Sequence, residues 1–101
     1  MSNLLDLAAK EILRKEILQL CFEAAPEGCS MDVLRAAFSH SGAEDAGELE
    51  KQVGYLEAKG MVSTNKVENR ILKLSRTIVK ITAAGIDLLE GNAEQVKGIG
   101  I

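Results

Sequence analysis

The chain has 101 residues, 47% of them hydrophobic and 27% charged, which suits one domain and is too short for two independent cores. Aromatics supply only 3%, so Leu, Ile, Val and Ala must fill that core, and a formal net charge of −3 gives no general attraction for phosphate. These figures exclude a disordered tail and a broadly basic nucleic-acid binder, so any basic face has to be local.

No basic region precedes an apolar run at the N-terminus, so no signal peptide is expected. No apolar stretch approaches the roughly 20 residues that span a bilayer. The expected location is cytoplasmic, with no membrane partner. Residues 4–25 predict one long amphipathic helix. Leu5, Ala9, Ile12, Leu13, Ile17, Leu20, Cys21 and Ala24 recur at helical spacing as a buried stripe. Lys10, Glu11, Arg14, Lys15, Gln19 and Glu23 fall mostly on the other side. Leu4, Leu7 and Leu18 lie beside the stripe and extend an apolar surface through which the N-terminal helix can form a homodimer. Pro26 and Gly28 stop the helix. Cys21 and Cys29 match no zinc spacing and are expected to be structural thiols.

Ser30 predicts an N-cap for a second helix with Asp32 in its first turn and Val33, Leu34, Ala37 and Phe38 as its apolar face. The helix ends near Ser39, and Ser41-Gly42 makes the turn. A third helix is expected from about Ala43 to Lys59, with Ala46, Leu49, Val53 and Leu56 in one stripe and Gly60 as C-terminal cap. Gly47 and Gly54 inside it each cost about 1 kcal/mol relative to Ala, and close packing against a neighbouring helix is the expected reason. After Gly60 the period changes. Met61 to Val67 and Thr77 to Ile81 alternate and are rich in β-branched residues, as strands are. Glu68-Asn69-Arg70 reads as a turn. The stretch from Ile71 to Arg76 is either an early start of the second strand with a bulge or an extended hairpin tip. Thr82 then caps a last helix, Ala83 to Glu90, which Gly91 closes. Residues 1–91 form the expected domain and 92–101 a tail.

The order predicts an α+β, mainly α fold of three helices, a two-stranded β wing and a C-terminal helix, a winged helix-turn-helix. Two stretches carry a resemblance to winged-helix regulators: Tyr55-Leu-Glu-Ala-Lys-Gly-Met-Val62, like the end of a recognition helix entering a wing, and Ile81-Thr-Ala-Ala-Gly-Ile-Asp-Leu-Leu-Glu-Gly91, like the segment after it. With Ile12-Leu-Arg-Lys-Glu-Ile-Leu-Gln-Leu20 and the tail Val96-Lys97-Gly98, the layout resembles a family of small winged-helix proteins of Mu-like bacteriophages and prophages. Lys97 and Gly100-Ile101 stand where that family usually has prolines.

In such a fold the third helix enters the major groove and the wing reaches phosphate or the minor groove. The expected exposed positions on that helix are Glu44, Asp45, Glu48, Lys51, Gln52 and Tyr55. From Ala43 to Gly60 five acids face two bases, a poor match to a polyanion. From Lys66 to Lys80 the balance reverses, with Lys66, Arg70, Lys73, Arg76 and Lys80 against Glu68 alone. The candidate DNA-binding residues are therefore Lys51, Gln52, Tyr55, Lys66, Arg70, Lys73 and Arg76. A solvated hairpin whose charges discourage edge pairing is the plainer alternative.

Catalysis finds no support. His40, between Ser39 and Ser41, reads as a polar turn, since sequence neighbours rarely have the geometry of nucleophile and base. No Gly-rich phosphate loop follows a strand, and no metal site, cofactor or small-molecule substrate is expected. The expected function is a phage or prophage DNA-binding, transcription-regulatory protein that is not an enzyme and contacts duplex DNA chiefly through its wing. The alternative is a protein-interaction module of the same fold without DNA binding.

Overall fold

Four helices and a three-stranded antiparallel sheet make up the described chain, a small, mainly helical α+β arrangement. The computed structural model describes residues 4–39 and 46–91, with side chains described for 7–39 and 47–91. In chain order the elements are α1 (Leu4–Glu23), β1 (Cys29–Ser30), α2 (Met31–Phe38), α3 (Ala46–Ala58), β2 (Val62–Asn69), β3 (Leu74–Ile81) and α4 (Ala83–Leu89). The expected start of the third helix at Ala43, the turn at Ser41-Gly42 and the tail at 92–101 lie outside the described residues.

Local chemistry sets the boundaries. The Ser30 hydroxyl accepts from the Val33 amide at 3.2 Å and opens α2, and Thr82 does the same for α4 through Gly85 at 3.1 Å. Each cap satisfies an amide that the first helical turn leaves unbonded. Gly60 ends α3 at φ +77°, a left-handed conformation that an L side chain resists. Gly28 is tied more closely. Its φ is +88°, and a Cβ there would approach the Val79 carbonyl oxygen to 2.8 Å, so the turn leaving α1 closes directly onto β3.

The sheet order is β1-β3-β2, with β3 in the centre. β1 is only two residues long, pairing Cys29 with Val79 and Ser30 with Ile78, and no sequence period announces it. The long hairpin is regular. It pairs Val62 with Ile81 at its base and Asn69 with Leu74 at its tip without interruption. The second strand therefore starts at Leu74 with no bulge, and Glu68 and Asn69 belong to β2 rather than to the turn. Arg70 to Lys73 form the loop. Asn69 Oδ1 accepts from the amides of Ile71 and Leu72 at 3.1 and 3.0 Å, while Lys73 takes φ +53°. A side chain that bonds the following backbone fixes such a loop.

The core gathers Ile17, Leu18 and Cys21 of α1, Leu34 and Phe38 of α2, Leu49, Val53 and Leu56 of α3, Val62 and Val79 of the sheet, and Leu88 of α4. Four expectations about burial change. Leu18 lies at the centre of the core rather than beside it, whereas Ile12 is 57% exposed and Ala9 is exposed. Val33 is exposed and Met31 takes its place against the core. Arg14, expected on the polar side of α1, is buried. Gly54 is exposed with nothing near its missing Cβ, and Gly47 is exposed too, so close helix packing explains neither. Among the described side chains of α1, the buried face thus begins at Leu13, while Leu7 to Lys10 and Ile12 are exposed. No described helix is long and apolar enough to cross a membrane.

Truncating a fully buried Leu removes transfer energy and leaves a cavity. Leu18→Ala should lower unfolding free energy by about 2–5 kcal/mol, and Val33→Ala by no more than about 0.5 kcal/mol, measured by urea denaturation; similar losses would contradict the assigned burial.

Candidate functional site

Three surfaces held candidate residues: α3, the hairpin, and the polar turn around His40. His40 and Ser41 lie outside the described residues, as do Glu44 and Asp45.

On α3 the structure separates the three candidates. Lys51 is exposed. Gln52, expected at the surface, is buried, and both ends of its amide are engaged. Its Oε1 accepts from Arg14 Nε, and its Nε2 donates to Glu48 Oε1 at 2.8 Å. Tyr55 is half-buried with the Arg14 guanidinium carbon 3.8 Å from its ring centre and Lys59 Nζ at 5.6 Å on that ring. A guanidinium at that distance is attracted by the ring's electron-rich face. Arg14 therefore joins α1 to α3, and Gln52 and Tyr55 serve that junction.

The acids of α3 also have partners. Glu50 accepts from Arg35 of α2, which in turn bridges to Asp32 at 3.0 Å. Glu57 accepts from Thr64 Oγ1 at 2.7 Å, tying the helix to β2, and Glu48 accepts from Gln52 as above. The acidity of this helix is thus largely an account of how it is held to its neighbours.

The hairpin differs. Lys66, Arg70, Lys73 and Arg76 are all exposed, and none makes an ion pair among the described residues. The register places Lys66 on the face shared with Val62, Thr64 and Val79, and Arg76 on the opposite face beside Val67. Arg70 and Lys73 flank the loop. The structure therefore brings the four candidates onto one projecting element but not onto one face. It also shows a feature that charge counting missed: the tip is apolar. Ile71 is 91% exposed and Leu72 63%, with Val67 and Leu74 about half exposed below them. The signal was present in Ile71-Leu72-Lys73-Leu74, but strand alternation would have turned half of these residues inward.

Among the described residues no three His, Cys, Asp or Glu converge as a metal site would require. Both cysteines are free and buried. Burial pushes the Cys21 thiol up to about 12, with Cys29 nearby adding to the rise, and burial raises Cys29 as well. Such thiols stay protonated and unreactive. Comparison of the chain with protein-family models, with curated proteins and with solved structures finds no match.

Two outcomes follow from these contacts. Gln52→Leu removes the acceptor from a buried Arg14 and should destabilise the fold by roughly 1–3 kcal/mol, whereas Gln52→Glu retains an acceptor and should lose less; equal stability of Gln52→Leu and wild type would contradict the junction. For Cys21, the folded-state value lies above the ordinary thiol value of 9.0, so the native state holds the proton longer than the unfolded chain. That contribution is present below pH 9.0 and is lost as the pH rises toward about 12. The alkaline fall in stability should be shallower in Cys21→Ala, and an identical slope would contradict the assigned burial.

Proposed function

We propose that the chain is a winged-helix, DNA-contacting regulatory protein of phage or prophage type, with the β2–β3 hairpin as its wing. The observation that carries the proposal is the set of exposed cations, without ion-pair partners among the described residues, on a hairpin whose loop is fixed by Asn69. Phosphate contact needs cations free to replace condensed counterions. Lys66, Arg70, Lys73 and Arg76 meet that need, while Arg35 is engaged by Glu50 and Asp32, and Arg14 is buried. Helix α3 has a smaller part. Lys51 remains a groove candidate, but Gln52 and Tyr55 are withdrawn into the junction with α1. Glu48, Glu50 and Glu57 keep the helix a poor approach to a polyanion even with their bonds made. Contact is therefore led by the wing, and most of the affinity is electrostatic. Sequence preference is weak, because few side chains that read bases remain exposed.

Fluorescence anisotropy with a labelled duplex across a salt series tests this. Three to four phosphate contacts give log K against log[salt] a slope of about −3. Arg70→Ala with Lys73→Ala should reduce the slope by about two, and Lys51→Ala by at most about one. No binding at low salt with excess duplex, or a slope unmoved by the hairpin variant, would overturn the proposal in favour of a protein-interaction role.

A further inference from the structure

The hairpin cations explain a charge, but they do not explain the apolar surface beside them. The register puts Leu74, Arg76, Ile78 and Lys80 of β3 on one face, with Asn69, Val67, Asn65 and Ser63 opposite them on β2. Leu72 folds over the tip end of that face, and a groove of about 420 Å³ lies between Leu72, Leu74, Val67 and Ile78, with Arg76 and Asn69 on its rim. Phosphate gains nothing from covering such a floor, whereas exposure of clustered Leu, Val and Ile to water is unfavourable. Among the described residues a second exposed strip in the same chain is apolar at one end and acidic at the other. On the outside of α1, Ala8, Ile12, Glu16, Gln19 and Glu23 recur at i+4, i+4, i+3 and i+4, and all five are exposed.

We infer that the outer face of the hairpin docks on the outer ridge of α1 in a second copy of this chain. Both surfaces change from apolar to charged along their length, with opposite sign. Starting at the tip, the hairpin offers Leu72 and Leu74, then Arg76, the half-buried Ile78 and Lys80. The ridge offers Ala8 and Ile12, then Glu16, then Glu23. Leu74 to Lys80 spans ~20 Å at strand rise, and Ile12 to Glu23 spans ~16 Å at helix rise, so apolar and charged parts can meet together. Two hairpins laid face to face would instead oppose Arg76 and Lys80 to their own copies, which like charges disfavour. The contact joins two different surfaces, and it closes into a pair only where it is made reciprocally about a two-fold axis. It leaves three of the four DNA-contact cations uncovered, because Lys66 lies on the other face and Arg70 and Lys73 on the loop, and only Arg76 is shared by the two contacts.

Sedimentation velocity of the full chain, from micromolar to millimolar concentration, should give the mass of two copies. Leu74→Asp and Ile12→Asp, both at exposed positions, should each yield monomers with unchanged circular dichroism. A mixing experiment then tests the pairing itself. Arg76→Glu/Lys80→Glu places acids against acids, and Glu16→Lys/Glu23→Lys places bases against bases. Each double variant alone should dissociate about tenfold or more readily. An equimolar mixture of the two, in which each hairpin meets a ridge of opposite charge, should recover the wild-type dissociation constant. A wild-type monomer at every concentration, a pair untouched by these variants, or a mixture that stays monomeric would each overturn the inference.

Discussion

Arg14 is a cation buried between α1 and α3, and the way it is held decides which side chains of α3 can face outward. Its Nε donates to Gln52 and its guanidinium covers the Tyr55 ring. Removing a guanidinium from water is expensive unless donors and charge find partners. That requirement draws Gln52 and Tyr55 toward α1 and brings Glu48 with them through the Gln52 amide. With Glu50 held by Arg35 and Glu57 by Thr64, α3 is bonded to α1, α2 and β2 in turn. Rotation of the helix to present a different face would break all of these contacts. The helix is therefore a structural pillar first, with Lys51 as its one candidate contact residue left exposed.

The hairpin is free to act because the core supports only its base. Val62, Val79 and Ile81 pack inward, and Gly28 closes on the Val79 carbonyl, whereas everything from Asn65 to Arg76 is exposed. A two-stranded ribbon without a covering layer gains little from burial, so its backbone ladder and its loop must hold it straight. The uninterrupted register and the two Asn69 bonds supply that order. Its two faces and its loop then present distinct chemistry: Lys66 on one side, an apolar and basic strip on the other, and Arg70 and Lys73 at the end.

Much of this architecture was legible in the sequence, because caps and breakers act locally. Ser30, Thr82, Gly60 and Gly91 stand at the helix ends where their chemistry predicts, and the change of period after Gly60 located the hairpin. What was not legible depends on the third dimension. A two-residue strand such as Cys29–Ser30 has no period, and only the fold brings it to β3. The buried stripe of α1 was misplaced because periodicity locates a face within a few tens of degrees, and Ile12 and Leu18 sit at its opposite margins. Arg14 and Gln52 were read as surface residues on polarity alone, yet both are buried and bonded to each other. The apolar hairpin tip was hidden by the uncertain boundary between Val67 and Thr77. Its face assignments depend on register, and a shift of one residue reverses every one of them.

In the proposed reading, the roles of the two elements are exchanged relative to a recognition helix flanked by an accessory wing. A rigid, internally bonded α3 positions the base of the hairpin through Glu57 and Thr64, and the hairpin carries the unpaired charge. Amide chemical-shift changes during titration with a short duplex compare the two directly. The changes should cluster at Lys66, Arg70, Lys73 and Arg76, with at most a minor response at Lys51. Changes centred on α3, leaving the hairpin amides unmoved, would contradict contact led by the hairpin.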